Sequence, residues 1–229
     1  MIFSKTALTL SVFAALGAMS ALPAHAGNLP VFATGVDASG MSLPNGTQGD
    51  PHYTLVSTPS GTPGTVSVLT SAHGNPIVPN GWIGDSATSA WIVPNNEPFL
   101  DGGPTGYYDY QTTFDLSGFD PATASLSGQW ATDNFGTEIR LNGQATGDAF
   151  NNSNNAYSPF SITGGFQPGL NTLDFIVLDD GQGATGLRVD GFSGNANPVP
   201  EASSTVSLGL LLTLGLGGAF LARRKALKG

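Results

Sequence analysis

Two short runs of the chain carry oxygen-bearing side chains that could bind a cation. They are Asp133-Asn134 and Asp179-Asp180, and each lies among turn-forming residues. Carboxylate and amide oxygens are the ligands that Ca²⁺ prefers in proteins. Neither run follows an established calcium-loop pattern, so two interpretations stay open: a structural calcium that pins the loops, or solvated turn acids. No other cofactor is predicted.

The carboxylates could also perform glycoside hydrolysis, which requires two acids about 5–10 Å apart. However, no acid lies in a sequence setting that predicts a raised pKa. The chain has no Gly-x-Ser-x-Gly motif, no paired-histidine zinc motif and no phosphate-binding loop. His52 and His73 have no partner at metal-ligand spacing and are predicted to be loop residues. We therefore expect no catalytic residues and a protein that is not an enzyme.

Trp82 is the aromatic residue that could contact a sugar. Carbohydrate-binding surfaces stack aromatic rings on the apolar face of a sugar, and Trp82 lies in a short segment bounded by Gly, Pro and Asn. Trp91 lies in an apolar run and Trp130 in an alternating one, so both are predicted to be core residues. Burial of Trp82 is the alternative interpretation.

Alternation of apolar and polar residues predicts the strands that must position these side chains. It is present in residues 107–116, 124–132 and 137–141, which we expect to form a meander. Asn142-Gly143 is a strong signal for a hairpin turn.

The same alternation predicts which side chains point away from the core. Asp109, Glu138 and Arg140 fall on outward faces, whereas Phe175 and its apolar neighbours in residues 171–178 fall on an inward face. Many short strands at this spacing, with 32 glycines and 16 prolines, predict an all-β fold, a β-sandwich. Cysteine is absent, so core packing must stabilise the fold without disulfides.

Charge is distributed unevenly along the chain. Between Gly27 and Asn197 there are fifteen acidic side chains but only two basic ones, Arg140 and Arg188, a formal charge of about −13. Nucleic-acid binding requires clustered Lys and Arg, so this charge excludes nucleic acid as a partner.

The first 26 residues have the pattern of a signal peptide. Lys5 precedes an apolar stretch, and Ala24-His25-Ala26 has the small-x-small pattern of a signal-peptidase site. We expect cleavage before Gly27 and an exported domain of residues 27–197, which is long enough for one domain with a sizeable core.

Residues 198–229 form a three-part tail. A polar motif is followed by an apolar segment at about 206–222, which is near the lower length limit for a membrane helix, and then by a basic cluster that predicts a cytoplasmic C-terminus. The motif residues are Val199, Pro200 and Glu201, and the cluster residues are Arg223, Arg224 and Lys225.

This tail resembles a PEP-CTERM sorting domain, a C-terminal signal of exported proteins in Gram-negative bacteria. In that family the motif usually reads Pro-Glu-Pro, and here Ala202 takes the third position. The resemblance implies recognition by an exosortase-type membrane protease, an inner-membrane intermediate, removal of the helix, and release to the cell surface or an extracellular matrix. An ordinary single-pass anchor without processing is the alternative.

The second half of the exported domain is similar to galactose-binding-like jelly-roll domains. The similarity lies in residues 128–134, 139–143, 160–162 and 169–175. It implies a jelly-roll sandwich and names no ligand, since such folds host many functions.

Together these features predict a non-catalytic, exported cell-surface or exopolysaccharide-matrix protein that binds glycan or associates with matrix components. The alternatives are a purely structural or adhesive surface protein without a small ligand and, third, a glycoside hydrolase.

Overall fold

The computed structural model describes residues 26–61, 64–74, 77, 81–94, 104–148, 153–181 and 183–199. The predicted signal peptide, except for Ala26, and the predicted membrane helix at 206–222 lie outside the described residues. Helical structure within the described ranges is limited to two 3₁₀ turns, Ser71–His73 and Pro121–Thr123. In this part of the chain no helix has the length and apolar character needed to cross a membrane.

The described residues form eleven β-strands, and every strand pair is antiparallel. The all-β class predicted from the alternation is therefore confirmed. The strands are β1 (Gly27–Asn28), β2 (Thr54–Ser57), β3 (Val66–Leu69), β4 (Trp91–Pro94), β5 (Gly106–Asp115), β6 (Ser125–Asp133), β7 (Phe135–Leu141), β8 (Gln144–Ala145), β9 (Ser158–Ile162), β10 (Leu170–Asp179) and β11 (Gly186–Ala196).

The strands are divided between two sheets. The first sheet has the order β3-β4-β11-β6-β9, with β1 also paired to β11, and the second has the order β2-β5-β10-β7-β8. Most spatial neighbours are therefore far apart in the chain, and β5, β10 and β7 lie side by side in the second sheet.

The two sheets pack face to face through large aromatic side chains. The rings of Trp130 in β6 and Phe160 in β9 each lie 5.7 Å, centroid to centroid, from the ring of Phe175 in β10. All three side chains are buried, as the alternation predicted for Trp130 and Phe175. Each such burial contributes about 1.5–3 kcal/mol, so these contacts between the sheets form the centre of a β-sandwich.

The predicted meander is wrong at two connections, β5 to β6 and β6 to β7, because β5 and β7 belong to the second sheet and β6 to the first. β6 pairs with β9 and β11 in the first sheet, whereas β7 pairs with β8 and β10 in the second, so the chain crosses between sheets at Asn134. The period of two determines which face of a strand is buried and does not determine which strand lies beside it. The hairpin between β7 and β8 is confirmed, with positive φ angles at Asn142 (52°) and Gly143 (76°).

Gly136 makes this crossing compatible with the core. A Cβ atom at this position would overlap the Trp130 ring and also approach Thr132 to 3.0 Å. Gly136 is thus a strand residue that leaves space for a core tryptophan.

Candidate functional site

A cleft of about 440 Å³ lies on the face of the second sheet that points away from the core. Its walls are more polar than apolar and combine acids, a base, hydroxyl groups and one aliphatic side chain. The described residues that line it are Ser57, Tyr107, Asp109, Thr137, Glu138, Arg140 and Ile176.

Strand register places three of these residues in one row across the sheet. Asp109 of β5 lies opposite Ile176 of β10, and Ile176 lies opposite Glu138 of β7. Adjacent strands are about 4.8 Å apart, so the backbones of the two acidic residues are separated by about 10 Å. Ile176 lies between them and is almost fully buried.

A second row runs beside the first. Gln111 of β5 lies opposite Asp174 of β10, which lies opposite Arg140 of β7. The amide nitrogen of Gln111 donates a hydrogen bond to Asp174 Oδ1 at 2.7 Å. Asp109 and Asp174 are therefore diagonal neighbours on one face of adjacent strands, at a spacing of about 7–8 Å.

Asp109 is the carboxyl whose protonation is most affected by this arrangement. Partial burial raises its pKa from 3.8 to about 6, the negative charge of Asp174 adds to that rise, and the positive charge of Arg140 opposes it. Asp109 Oδ1 is itself buried and accepts no hydrogen bond. Buried polar atoms normally have a partner, so this unpaired oxygen marks a position where a ligand atom could bind.

The other charged groups of the cleft have partners. Arg140 Nε donates to Glu138 Oε2 at 2.5 Å, in an ion pair whose side chains are 42% and 30% exposed. Burial raises the pKa of Asp174, and the hydrogen bond from Gln111 and the charge of Arg140 act against that rise. Asp109 thus differs from Glu138 and Asp174, because each of those carboxylates accepts a hydrogen bond from a neighbouring strand or residue.

This arrangement can support proton transfer. A carboxyl with a pKa of about 6 is present in both protonation states near neutral pH, so it can take up or donate a proton with little cost. Asp109 has this property and also lies in a cleft large enough to admit a small molecule.

A second cleft, of about 390 Å³, lies beside β11 of the first sheet. It is mainly apolar, with Phe32 and Phe192 in its walls. Its one carboxylate, Asp190, already accepts a hydrogen bond from Gln129 at 3.1 Å. The carboxylate of this cleft therefore has a protein donor, unlike Asp109 Oδ1 in the first cleft.

Trp82, the predicted sugar contact, is a buried packing residue. It is 4% exposed, its ring centroid lies 4.2 Å from that of Trp91, and its indole N–H donates to Asp133 Oδ2 at 2.6 Å. Gly186 approaches the ring from another side. Because the Trp82 ring is covered, the prediction that it contacts a glycan is wrong, and its burial, the alternative interpretation, is what the structure has. The predicted burial of Trp91 in the core is confirmed.

The structure brings the four predicted calcium ligands to one end of the sandwich. Asp133 Oδ2 accepts hydrogen bonds from Trp82 and from Asn154 (3.2 Å), and Oδ1 accepts one from Asn134 (3.0 Å). Burial is the main cause that raises the pKa of Asp133, and the charges of Asp179 and Asp180 raise it further. The oxygens of Asp133 are therefore engaged by protein donors.

Asp179 and Asp180 differ in exposure. Asp179 is fully buried; its Oδ1 accepts a hydrogen bond from the Gly181 amide at 2.7 Å, and its Oδ2 has no hydrogen-bond partner. Asp180 is exposed, and its amide donates to Asn134 Oδ1 at 3.1 Å. Across the described ranges, no group of three or more His, Cys, Asp and Glu side chains is arranged to hold a metal ion. The structural calcium stays a prediction.

The sorting motif lies at the boundary of the described residues. Val199 is 52% exposed, and its amide donates to the Gly118 carbonyl at 2.8 Å. The other predicted tail residues lie outside the described residues; they are Pro200, Glu201, Arg223, Arg224 and Lys225.

The sequence analysis missed the cleft although it predicted the orientation of its residues. It placed Asp109, Glu138 and Arg140 on outward faces, which the structure confirms. It also stated that no acid is set to have a raised pKa, which is wrong for Asp109. The pKa of Asp109 is raised first by burial and then by the charge of Asp174 in β10, and the adjacency of β5 and β10 that produces both effects is not encoded in any local pattern.

No protein-family model and no curated protein matches the sequence. Among solved structures, the chain is similar to a cyclase from Fischerella sp. TAU, with 13% identity, a TM-score of 0.43 and coverage of 77% of this chain and 100% of the other. It is also similar to the Stig cyclase Fisc from the same organism in complex with (3Z)-3-(1-methyl-2-pyrrolidinylidene)-3H-indole. This match has 12% identity, a TM-score of 0.41 and coverage of 76% of this chain and 100% of the other. An apo cyclase from Fischerella sp. matches with 13% identity, a TM-score of 0.42 and coverage of 77% and 98%.

These neighbours contradict two predictions. The sequence analysis predicted a non-catalytic surface or matrix protein and a chain that is not an enzyme, whereas the matched structures are those of enzymes. Both predictions are withdrawn. At 12–13% identity and these TM-scores, the likeness assigns no reaction, substrate or residue role to this chain.

Proposed function

We propose that the protein is an acid–base enzyme that acts on a small molecule in the cleft on the second sheet, with Asp109 as the proton-exchanging group. The proposal depends on one observation. Asp109 combines a pKa of about 6 with a buried, unpaired oxygen inside a cleft of about 440 Å³. A group of this kind is suited to general acid–base catalysis because its pKa is close to the pH at which it would operate.

The neighbouring residues support this role without entering the reaction. Asp174 helps to keep the pKa of Asp109 raised, and Gln111 fixes Asp174 by a hydrogen bond. The rigid strands β5, β10 and β7 hold these groups in register, so the cleft requires no loop closure to form.

Small polar molecules screened against the full-length chain by ligand-observed NMR test the proposal. We expect binding that competes within one site, and turnover of at least one bound compound with a kcat/KM that depends on a group of pKa about 6, the value of Asp109 in the free chain. Asp109→Asn should abolish that turnover because the amide cannot exchange a proton in this range.

Asp115→Asn provides the matched control, since Asp115 lies on the same strand as Asp109 and is exposed outside the cleft. This variant should retain binding and turnover. Turnover that survives in Asp109→Asn, or a screen in which no compound binds at the cleft, would overturn the proposal.

We also propose a structural calcium at the end of the sandwich that carries Asp133, Asn134, Asp179 and Asp180. The unpaired buried oxygen of Asp179 beside two further acids supports it, although the oxygens of Asp133 are already engaged. Thermal melting with calcium and then with a chelator is the test. A higher midpoint with calcium, lost in Asp179→Asn, is expected, and an unchanged midpoint removes the idea.

We further propose that the chain is exported and sorted as its termini indicate. Residues 1–26 act as a signal peptide in a Gram-negative bacterium, and an exosortase-type protease removes the 206–222 membrane helix, after which the domain reaches the cell surface or extracellular matrix. Two contacts support the domain boundaries: Gly27 pairs with Ala196, and Val199 is hydrogen-bonded to Gly118.

Mass spectrometry of the protein recovered from the cell surface tests both processing steps. We expect an N-terminus at Gly27 and no residues of the membrane segment. A full-length chain in the cytoplasm would contradict export, and a surface protein that keeps residues 206–222 would indicate an anchor without processing.

We propose finally that the sandwich is a jelly roll of the galactose-binding-like type. The support is its connectivity, because most consecutive strands from β4 to β11 alternate between the sheets, and only β3-β4 and β7-β8 are neighbours in both chain and sheet. An experimental structure that traces every connection between strands would test this topology.

A further inference from the structure

The charge of the cleft is unbalanced. Asp109 and Glu138 line it and Asp174 lies in the adjacent row, whereas Arg140 is the one basic residue among the described lining residues. Arg140 is already engaged by Glu138 at 2.5 Å. The cleft therefore presents an acceptor surface with little free positive charge, which favours a cation over an anion.

The cleft also has apolar surface beside the unpaired acid. Tyr107 lies two residues before Asp109 on the same face of β5, about 7 Å along the strand, whereas Ile176, opposite Asp109, is almost fully buried and contributes little surface. Tyr107 is 57% exposed, so one face of its ring is available to a ligand. An aromatic ring face attracts cations as well as apolar groups.

We infer that the substrate is a small organic cation whose ammonium group pairs with Asp109 and whose apolar body packs against the Tyr107 ring. This inference rests on the proposed function, because it names the class of molecule that the same cleft takes. The ammonium N–H donates to the Asp109 carboxylate, whose Oδ1 has no protein donor, and such charge-assisted bonds are among the stronger ones in proteins.

A pH dependence of binding follows from this pairing. The ammonium pairs with ionised Asp109, so its affinity falls as the pH is lowered through about 6. The charged groups that face Asp109 are Asp174 from β10 and Glu138 and Arg140 from β7, and β2 contributes the uncharged Ser57. Glu138 and Arg140 form an ion pair, so their opposite charges offset one another beside Asp109.

Calorimetric titration of the full-length chain with three probes of one size tests the inference. The probes are phenethylamine (cationic), 2-phenylethanol (neutral) and phenylacetate (anionic). At pH 7.5 we expect phenethylamine to bind with a dissociation constant on the order of 1 mM, at least tenfold tighter than either other probe. At pH 5 its affinity should fall about tenfold.

Two variants locate the binding. Asp109→Asn should weaken phenethylamine binding at least tenfold and remove its pH dependence, and circular dichroism should show an unchanged fold. Asp115→Asn, which removes an equal charge from the same strand outside the cleft, should bind as the parent chain does.

The other outcomes separate this inference from the proposed function. Equal binding of the three probes, or tighter binding of phenylacetate, overturns the cation preference and leaves the cleft as a binding site. Absence of phenethylamine binding also overturns the preference, even where other compounds from the screen bind and depend on Asp109. Loss of all binding in every assay overturns both.

Discussion

Arg188 and Asp109 are both charged side chains withdrawn from bulk water, and their surroundings are opposite. Arg188 in β11 is 1% exposed, and its guanidinium makes five hydrogen bonds of 2.6–3.1 Å to Ser89 and to the carbonyls of Ile83 and Gly84. It also lies over the Tyr157 ring, 5.9 Å from the centroid. Asp109 is only partly buried, yet it accepts no hydrogen bond at Oδ1.

This difference separates a structural charge from a functional one. Burying a charge is costly unless hydrogen bonds replace the lost water, and Arg188 has such bonds. They connect β11 to the segment before β4, so Arg188 stabilises the fold. Asp109 lacks them, and the raised pKa of Asp109 shows the uncompensated cost. A ligand, rather than the protein, can complete its surroundings.

The largest expected effect is the loss of stability when Arg188 is replaced. Arg188→Met should lower the free energy of unfolding by about 3–5 kcal/mol, because it removes the buried guanidinium that donates to the carbonyls of Gly84 and Ser89. Arg140→Met, which removes a partly exposed arginine, should cost less than about 1 kcal/mol. Urea unfolding of the two variants checks this, and equal losses would contradict the distinction.

Trp82→Phe should lower the free energy of unfolding by a smaller amount than Arg188→Met. The substitution keeps an aromatic ring but removes the indole N–H that donates to Asp133, a hydrogen bond to a charged group worth about 1.5–3 kcal/mol. Unfolding in urea measures the loss, and phenethylamine binding should not change. Loss of binding in a variant of full stability would instead make Trp82 a ligand contact.

The pH dependence of stability should reveal Asp109 itself. Its pKa is higher in the folded chain than in the unfolded chain, so the folded state holds more protons between about pH 4 and pH 6, and stability falls as the pH rises through this range. Solvent screens this partly exposed group, so the free energy of unfolding should fall by about 1 kcal/mol over this pH range, which lowers the melting temperature by about 2–4 °C. Asp109→Asn should remove the loss of stability that comes from ionisation of Asp109.

Asp115→Asn supplies a control of opposite sign. Hydrogen bonds from Ser117 hold the pKa of Asp115 below its ordinary value. Ionised Asp115 therefore stabilises the fold at pH values above its unfolded-state pKa, and this stabilisation is lost as the pH falls through its folded-state pKa. Thermal melts of both variants from pH 3 to pH 7 compare the two. Identical profiles for both variants would contradict the raised pKa of Asp109.

The smallest expected effect is electrostatic. Asp174→Asn removes the negative charge diagonal to Asp109 and should lower the pKa of Asp109 by about 0.4 unit, as Coulomb's law gives for charges about 7–8 Å apart that are screened by water. NMR titration of the Asp109 carboxyl measures the change. A pKa that stays constant or rises would show that Asp174 does not influence Asp109.

Much of the fold could be predicted because alternation reports burial directly. The buried faces of β5 and β7 agree with the pattern of apolar residues, and Trp130 and Phe175 are buried as predicted, whereas residues 130–132 of β6 and 173–177 of β10 are buried on both faces. The pairing of the strands could not be predicted, because the contacts that select β10 as the neighbour of both β5 and β7 are distant in sequence.

The candidate site depends on that pairing. Asp109 and Asp174 are 65 positions apart in the sequence and become neighbours only through the β5–β10 register. Trp82 shows the same limitation, since its Gly- and Pro-bounded segment is typical of a loop but folds against Trp91 in the interior. Local composition indicates that a segment turns and does not indicate what covers it.

Titration of the Asp109 carboxyl by ¹³C NMR in the full-length chain tests the central claim most directly. The structure predicts a midpoint of about pH 6, which moves downward when phenethylamine occupies the cleft. A midpoint near 3.8 that no small molecule alters would mean that Asp109 is an ordinary solvated acid, and the proposed site would be contradicted.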